Sequence, residues 1–175
     1  MLVLVVGPSG AGKDTLLEAA RQALADDPRF RFVRRVITRP TNAGGEAHEP
    51  ATAEEFAARD FALQWQAHGL SYGIPADAIK EDAVVVANVS RTVIADAARL
   101  FPTRVIEVTA PSDVLAARLA ARARETAADV AARVSRRVAL PDHVHVETVV
   151  NDASLAEGVA RFLAALTRAA SATAR

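Results

Sequence analysis

Eight residues near the start of the chain, Gly7-Pro8-Ser9-Gly10-Ala11-Gly12-Lys13-Asp14, bring together the residue types that bind a polyphosphate. Glycines at 7, 10 and 12 permit dihedrals that turn successive backbone N–H groups inward. Such a nest, at the positive end of a following helix, attracts anions. Lys13 adds a mobile point charge. It and Lys80 are the only lysines in a chain that otherwise relies on arginine, so a compact ammonium has been kept here. The spacing is that of the G-x-x-x-x-G-K-[ST] phosphate loop, with Gly7, Pro8, Ser9, Gly10, Ala11, Gly12, Lys13, Asp14 and Thr15 as candidate nucleotide-binding residues. The alternative, a glycine-rich turn with no ligand, is disfavoured because the apolar strand, the full spacing and the helical pattern occur together.

Asp14 stands where the motif expects a hydroxyl. A carboxylate beside a triphosphate is repulsive unless a cation lies between them. ATP with Mg²⁺ is therefore the expected cofactor pair, and Asp14 the expected metal ligand, directly or through water, with Thr15 as its rival. Arginines cluster at 34, 35 and 39 and again at 118, 122, 124, 133, 136 and 137. Charges of one sign repel by about 4 kcal/mol at 4 Å for an effective dielectric near 20, so assembling two phosphate groups requires several cations. Arg118 and Arg122, four apart beside Glu125, read as an ion-paired, solvated helix face. His143 and His145 alternate along a strand without further ligand types nearby and read as structural.

These side chains need a scaffold. A length of 175 residues fits one domain with a full core. The formal net charge of zero gives no global field toward nucleic acid or an anionic membrane, and neither is an expected partner. The absence of cysteine excludes disulfides, thiol catalysis and cysteine-ligated metal, and agrees with a cytoplasmic location. No run approaches the ~20 apolar residues of a membrane span, nor is there an export signal at the start.

Strand and helix patterns alternate, which predicts an α/β fold with a mostly parallel sheet. Strands are expected at 2–6, 31–37, 83–88, 104–109 and 145–151, and helices at about 13–25, 90–100, 111–124, 127–139 and from Ser154 onward, fraying after Arg168. Thr52-Ala53-Glu54-Glu55 reads as a capping box, and the segments around His68-Gly69 as a small hairpin. A short helix is expected from Pro75.

The loop, Thr38-Arg39-Pro40, Gly45-Glu46, Tyr72-Gly73-Ile74-Pro75 and the arginine-rich helical pair resemble the guanylate-kinase branch of the nucleoside-monophosphate kinases, over almost the whole chain. The resemblance implies a three-layer P-loop kinase fold with a five-stranded core sheet, an acceptor-binding hairpin insert at about 38–81 and a helical lid at about 116–139. Core segments would be 1–37, 82–115 and 140–170. It also implies substrate roles for Thr38, Arg39, Glu46 and Tyr72. Asn42 falls where the second acceptor arginine of guanylate kinases is expected, and Val86 and Asn88 lie near the places of their aspartates.

Those departures, together with Asp14, resemble the members that phosphorylate ribose 1,5-bisphosphate. That likeness implies a sugar phosphate substrate and the product 5-phosphoribosyl 1-pyrophosphate, in phosphonate utilisation. A guanylate or other nucleoside-monophosphate kinase, and a non-catalytic interaction module of the same fold, are the competing readings. A phosphate acceptor is already anionic, so no general base is required and catalysis consists of positioning and charge neutralisation. Lys13 and Asp14 are the candidate catalytic residues at the loop, and Arg133 with Arg136 or Arg137 those of the lid.

Overall fold

The structure is a computed structural model and describes residues 1–40, 47–120 and 140–172. In chain order the elements are β1 (Leu2–Val6), α1 (Lys13–Ala23), β2 (Phe30–Val33), β3 (Val36–Ile37), β4 (Glu49–Pro50), α2 (Ala53–Ala57), β5 (Phe61–Ala67), β6 (Leu70–Pro75), β7 (Val84–Asn88), α3 (Ile94–Leu100), β8 (Thr103–Thr109), α4 (Ser112–Ala120), β9 (His145–Val150) and α5 (Leu155–Ser171).

Every residue of β1 is buried, as its unbroken apolar run requires of a strand covered on both faces. It occupies the centre of a five-stranded sheet of order β2-β7-β1-β8-β9, all of whose neighbours run parallel. Successive side chains of a strand point to opposite faces, and β1 feeds two cores accordingly. Val3 and Val5 pack with Leu16 and Ala20 of α1 and with Phe162 and Leu166 of α5. Leu2, Leu4 and Val6 pack with Ile94 and Ala97 of α3. The three-layer α/β arrangement expected from the sequence follows from that alternation.

The expected strand 31–37 is two strands in two sheets. β2 pairs with β7 in the core sheet, whereas β3 pairs with β4 and β6 in a second, four-stranded sheet of order β4-β3-β6-β5. Arg34 and Arg35 lie at the break. Two consecutive guanidinium side chains would have to point to both faces of one strand, which a sheet covered on both faces does not accommodate. The β5–β6 hairpin turns at His68 and Gly69, whose φ of 53° and 73° suit a two-residue turn with both central residues left-handed. The expected hairpin is thus part of a larger sheet, and its inner residues Leu63, Trp65, Tyr72 and Ile74 join the α3-side core.

Capping boxes close the N-termini of α2 at Thr52–Glu55 and of α5 at Ser154–Glu157. α5 continues to Ser171, three residues past the expected fraying point, with Ala169 buried. A single 3-10 turn, Ala76–Ala78, follows Pro75. The expected helix over 127–139, and the end of the one expected to reach 124, lie outside the described residues. Among the described residues no helix is long and apolar enough to cross a membrane.

Candidate active site

The loop between β1 and α1 is held by two close backbone approaches that only glycine permits. Gly7 has φ 146°, and a Cβ there would lie 1.9 Å from the carbonyl oxygen of Val108 on β8. Gly12, at φ 88°, is the left-handed residue that opens α1, and a Cβ there would lie 2.5 Å from Nδ2 of Asn151. That same Nδ2 donates to the carbonyl oxygen of Ala11 at 2.8 Å, so Asn151, buried just after β9, pins the loop from below. Lys13 closes it from the front, its Nζ donating to the carbonyls of Gly7 at 2.8 Å and Pro8 at 3.0 Å.

Asp14 and Thr15 are exposed on the first turn of α1, where a carboxylate is favoured by the helix dipole. Asp14 Oδ1 accepts a hydrogen bond from Nδ2 of Asn88, at the end of β7, at 3.0 Å. Asn88, read in the sequence as a departure from an acidic pattern, is therefore the side chain that orients Asp14. A cleft of about 570 Å³ opens beside this pair, and Arg21, Arg34, Arg35 and Val86 line it. Glu18 in the same cleft is ion-paired to Arg21 at 2.6 Å and bonded to Gln22, which holds its carboxyl down at about 2. A second cavity of about 340 Å³ is lined by Gly10, Gly12, Thr15, Arg118, Asn151 and Leu155. Arg118 is half-buried and donates to the Gly10 carbonyl at 3.4 Å, so the solvated face expected of it is corrected to a contact with the loop.

The second sheet positions the residues expected on the acceptor side. Thr38 uses its hydroxyl as an acceptor for the Ser71 N–H at 2.9 Å, while its own N–H donates to the Ser71 carbonyl at 3.1 Å, clamping the end of β3 to β6. Arg39 is steered by His48. Arginine Nη2 lies 3.3 Å from His48 Nδ1, and His48 Nε2 lies 3.1 Å from the Arg39 carbonyl. Since a guanidinium only donates, Nδ1 is assigned as acceptor and Nε2–H as donor. Arg39 Nε is buried without an acceptor among the described residues. Tyr72 is buried, its ring stacked on Trp65 at 5.5 Å and 10°. Glu46, Arg133, Arg136 and Arg137 lie outside the described residues.

Lys13, Asp14 and Thr15 thus meet at the loop, whereas Tyr72 lies in β6 of the second sheet and Arg39 in the bend that follows β3. Sequence reasoning missed Asn151 as a loop anchor, Asn88 as the partner of Asp14, and His48 as the support of Arg39. Only the polar side chains placed at strand ends and in an otherwise open loop signalled them.

A central parallel strand running into a glycine nest, with a cationic cleft beside it, defines a phosphate-loop α/β protein. A family model described as AAA domain matches residues 2–140. The chain is 53% identical, over 95% of its length and 92% of the relative's, to a ribose 1,5-bisphosphate phosphokinase of Acidiphilium cryptum. It is 51% identical over 97% of its length to a bifunctional ribose 1,5-bisphosphokinase-thymidine phosphorylase of Cupriavidus pinatubonensis, but spans only 29% of that longer protein. The guanylate kinase of Anaplasma phagocytophilum shares the fold, with TM-score 0.63 at 18% identity over 97% of this chain and 85% of that one. The chain belongs to the AAA-domain family and, within it, to the ribose 1,5-bisphosphate phosphokinase family.

Proposed function

We propose that the chain transfers the γ-phosphoryl group of ATP to the 1-phosphate of ribose 1,5-bisphosphate, giving 5-phosphoribosyl 1-pyrophosphate and ADP, as a cytoplasmic enzyme of phosphonate utilisation. The observation that carries this reading is the β7 wall of the cleft. Val86 and Asn88 present an apolar chain and an amide there, while Arg21, Arg34 and Arg35 line the cleft around them. Such a surface suits a polyanionic sugar better than a purine read by acidic hydrogen-bond acceptors. The family's naming agrees.

The acceptor oxygen is an anionic phosphate oxygen, so no side chain has to remove a proton. The chain's residues bind and orient. The loop N–H groups and Lys13 hold the β- and γ-phosphates, and Arg39 takes an acceptor phosphate, with Thr38, Glu46 and Tyr72 in the acceptor site. Arg133 and Arg137 are assigned to the lid, where they would neutralise the transferring group.

The donor set at the loop fits Mg²⁺. This ion keeps several waters and uses one or two carboxylates beside substrate phosphates, so the exposed Asp14 with Thr15 suffices without a cluster of acids. Among the described residues no group of three or more metal-ligating side chains is present. Mg²⁺ held there by Asp14 or Thr15 would supply positive charge against the charge that develops during transfer. Asp14→Asn is expected to lower turnover on the order of 10²-fold and to raise the Mg²⁺ concentration for half-maximal rate. A titration with unchanged Mg²⁺ dependence would contradict the assignment.

The acceptor is tested by offering ribose 1,5-bisphosphate and GMP separately in a coupled ADP-release assay. Release with the sugar bisphosphate and not with GMP is expected. Release with GMP alone would replace this reading with a guanylate kinase, and release with neither would remove both.

A further inference from the structure

Arg35 has no assigned part in the reaction above, yet it occupies the most constrained cationic position in the cleft. It lies at the break between the two sheets, so no strand ladder dictates its direction. Its guanidinium carbon sits 5.5 Å from the centroid of Tyr72 and 6.0 Å from that of Trp65, whose rings are themselves stacked. Both rings are buried. The guanidinium is therefore held by an aromatic platform that costs little further side-chain entropy, and cation–π attraction is worth about 0.5–2 kcal/mol according to desolvation.

Burial pushes the Arg35 guanidinium down to about 10; the nearby Asp14 carboxylate and Tyr72 pull it up and Arg39 pushes it down. It remains cationic at neutral pH. The Arg39 guanidinium thus lies within repulsive range of that of Arg35, which lines the cleft. Neighbouring like charges, one of them on an aromatic support, are what a phosphate dianion neutralises, and the planar fork of arginine suits its oxygens.

We propose that Arg35, braced on Tyr72 and Trp65 and aided by Arg39, receives the acceptor phosphate that is not phosphorylated, and so makes the enzyme select a sugar bisphosphate over a monophosphate. This rests on the proposed acceptor. The reacting phosphate must approach Lys13 and Asp14, and a second phosphate on the same sugar has to be stabilised elsewhere in the cleft. Arg35 lines that cleft together with Asp14 and Asn88.

The experiment measures ADP release with ribose 1,5-bisphosphate and with ribose 1-phosphate, for the wild type, Arg35→Gln and Arg35→Lys, together with inhibition by ribose 5-phosphate. In Arg35→Gln, KM for the bisphosphate should rise on the order of 10- to 100-fold while KM for ATP stays within twofold. The preference for bisphosphate over monophosphate should fall by the same factor, and inhibition by ribose 5-phosphate should weaken at least tenfold. Arg35→Lys, which keeps the charge and loses the fork, should fall between the two. A merely structural role would move KM for ATP and the melting temperature and leave the preference intact. If the wild type uses the bisphosphate and either variant keeps both the preference and the ribose 5-phosphate inhibition, the assignment is overturned by itself. If the wild type releases ADP with neither acceptor, it falls together with the reaction on which it rests.

Discussion

Lys13→Ala is expected to reduce kcat/KM for ADP formation by about 10²- to 10³-fold, the usual effect of removing one preorganised charge from a transferring centre. The ammonium is positioned by the loop itself, through bonds to the carbonyls of Gly7 and Pro8 at 2.8 and 3.0 Å. Its substitution therefore removes a cation and also loosens the nest. Arginine is a poor replacement, because a planar fork cannot occupy the place of a compact ammonium between two loop carbonyls. Lys13→Arg should accordingly rescue little. Initial rates at saturating acceptor measure the effect, and a variant within threefold of the wild type would show that the loop does not hold the donor's phosphates as proposed.

The second large effect concerns stability. At Gly7 an added methyl would meet the Val108 carbonyl oxygen at 1.9 Å, and the residue's φ of 146° lies outside the range of L side chains. Since the obstructing atom is backbone in a central sheet strand, no rotamer change relieves it. Gly7→Ala is expected to destabilise the fold on the order of 3 kcal/mol or more, combining overpacking with backbone strain. For a chain of this size that is roughly a 6–12 °C lower Tm. Gly69, by contrast, has nothing within 4 Å of its Cβ position, so Gly69→Ala isolates the contribution of its φ of 73° without a clash. Thermal melts of the two variants, read against the wild type, separate steric obstruction from dihedral strain. A Gly7→Ala protein that melts with the wild type would mean the loop does not run against β8.

The loop and the parallel core were legible because both are local. Glycine placement, the lysine of the loop and the apolar run at residues 2–6 each carry their meaning within a few residues, and β1, α1 and the alternation that follows agree with them. The second sheet was less legible. β3 and β4 have only two residues each, too few for a period-two pattern to declare itself. The continuous pattern over 31–37 concealed the point where the chain leaves one sheet for the other at Arg34 and Arg35.

The missed site residues share a cause. Asn151 acts on Ala11 across 140 positions of sequence, and Asn88 on Asp14 across 74. Nothing in the local pattern announces such contacts. Arg35 was visible as part of an arginine cluster, but its aromatic support depends on the β5–β6 register that places Trp65 opposite Tyr72. His48 likewise became meaningful only once Arg39 was folded against it.

The most direct test of the proposed reaction is the identity of its product. Phosphorus NMR of a reaction containing ATP, Mg²⁺ and ribose 1,5-bisphosphate should show a new pair of mutually coupled pyrophosphate resonances on the sugar, growing in step with ADP while the signal of the 1-phosphate monoester declines. ADP accumulating with no such pair, or with the 1-phosphate signal unchanged, would contradict transfer to the 1-phosphate.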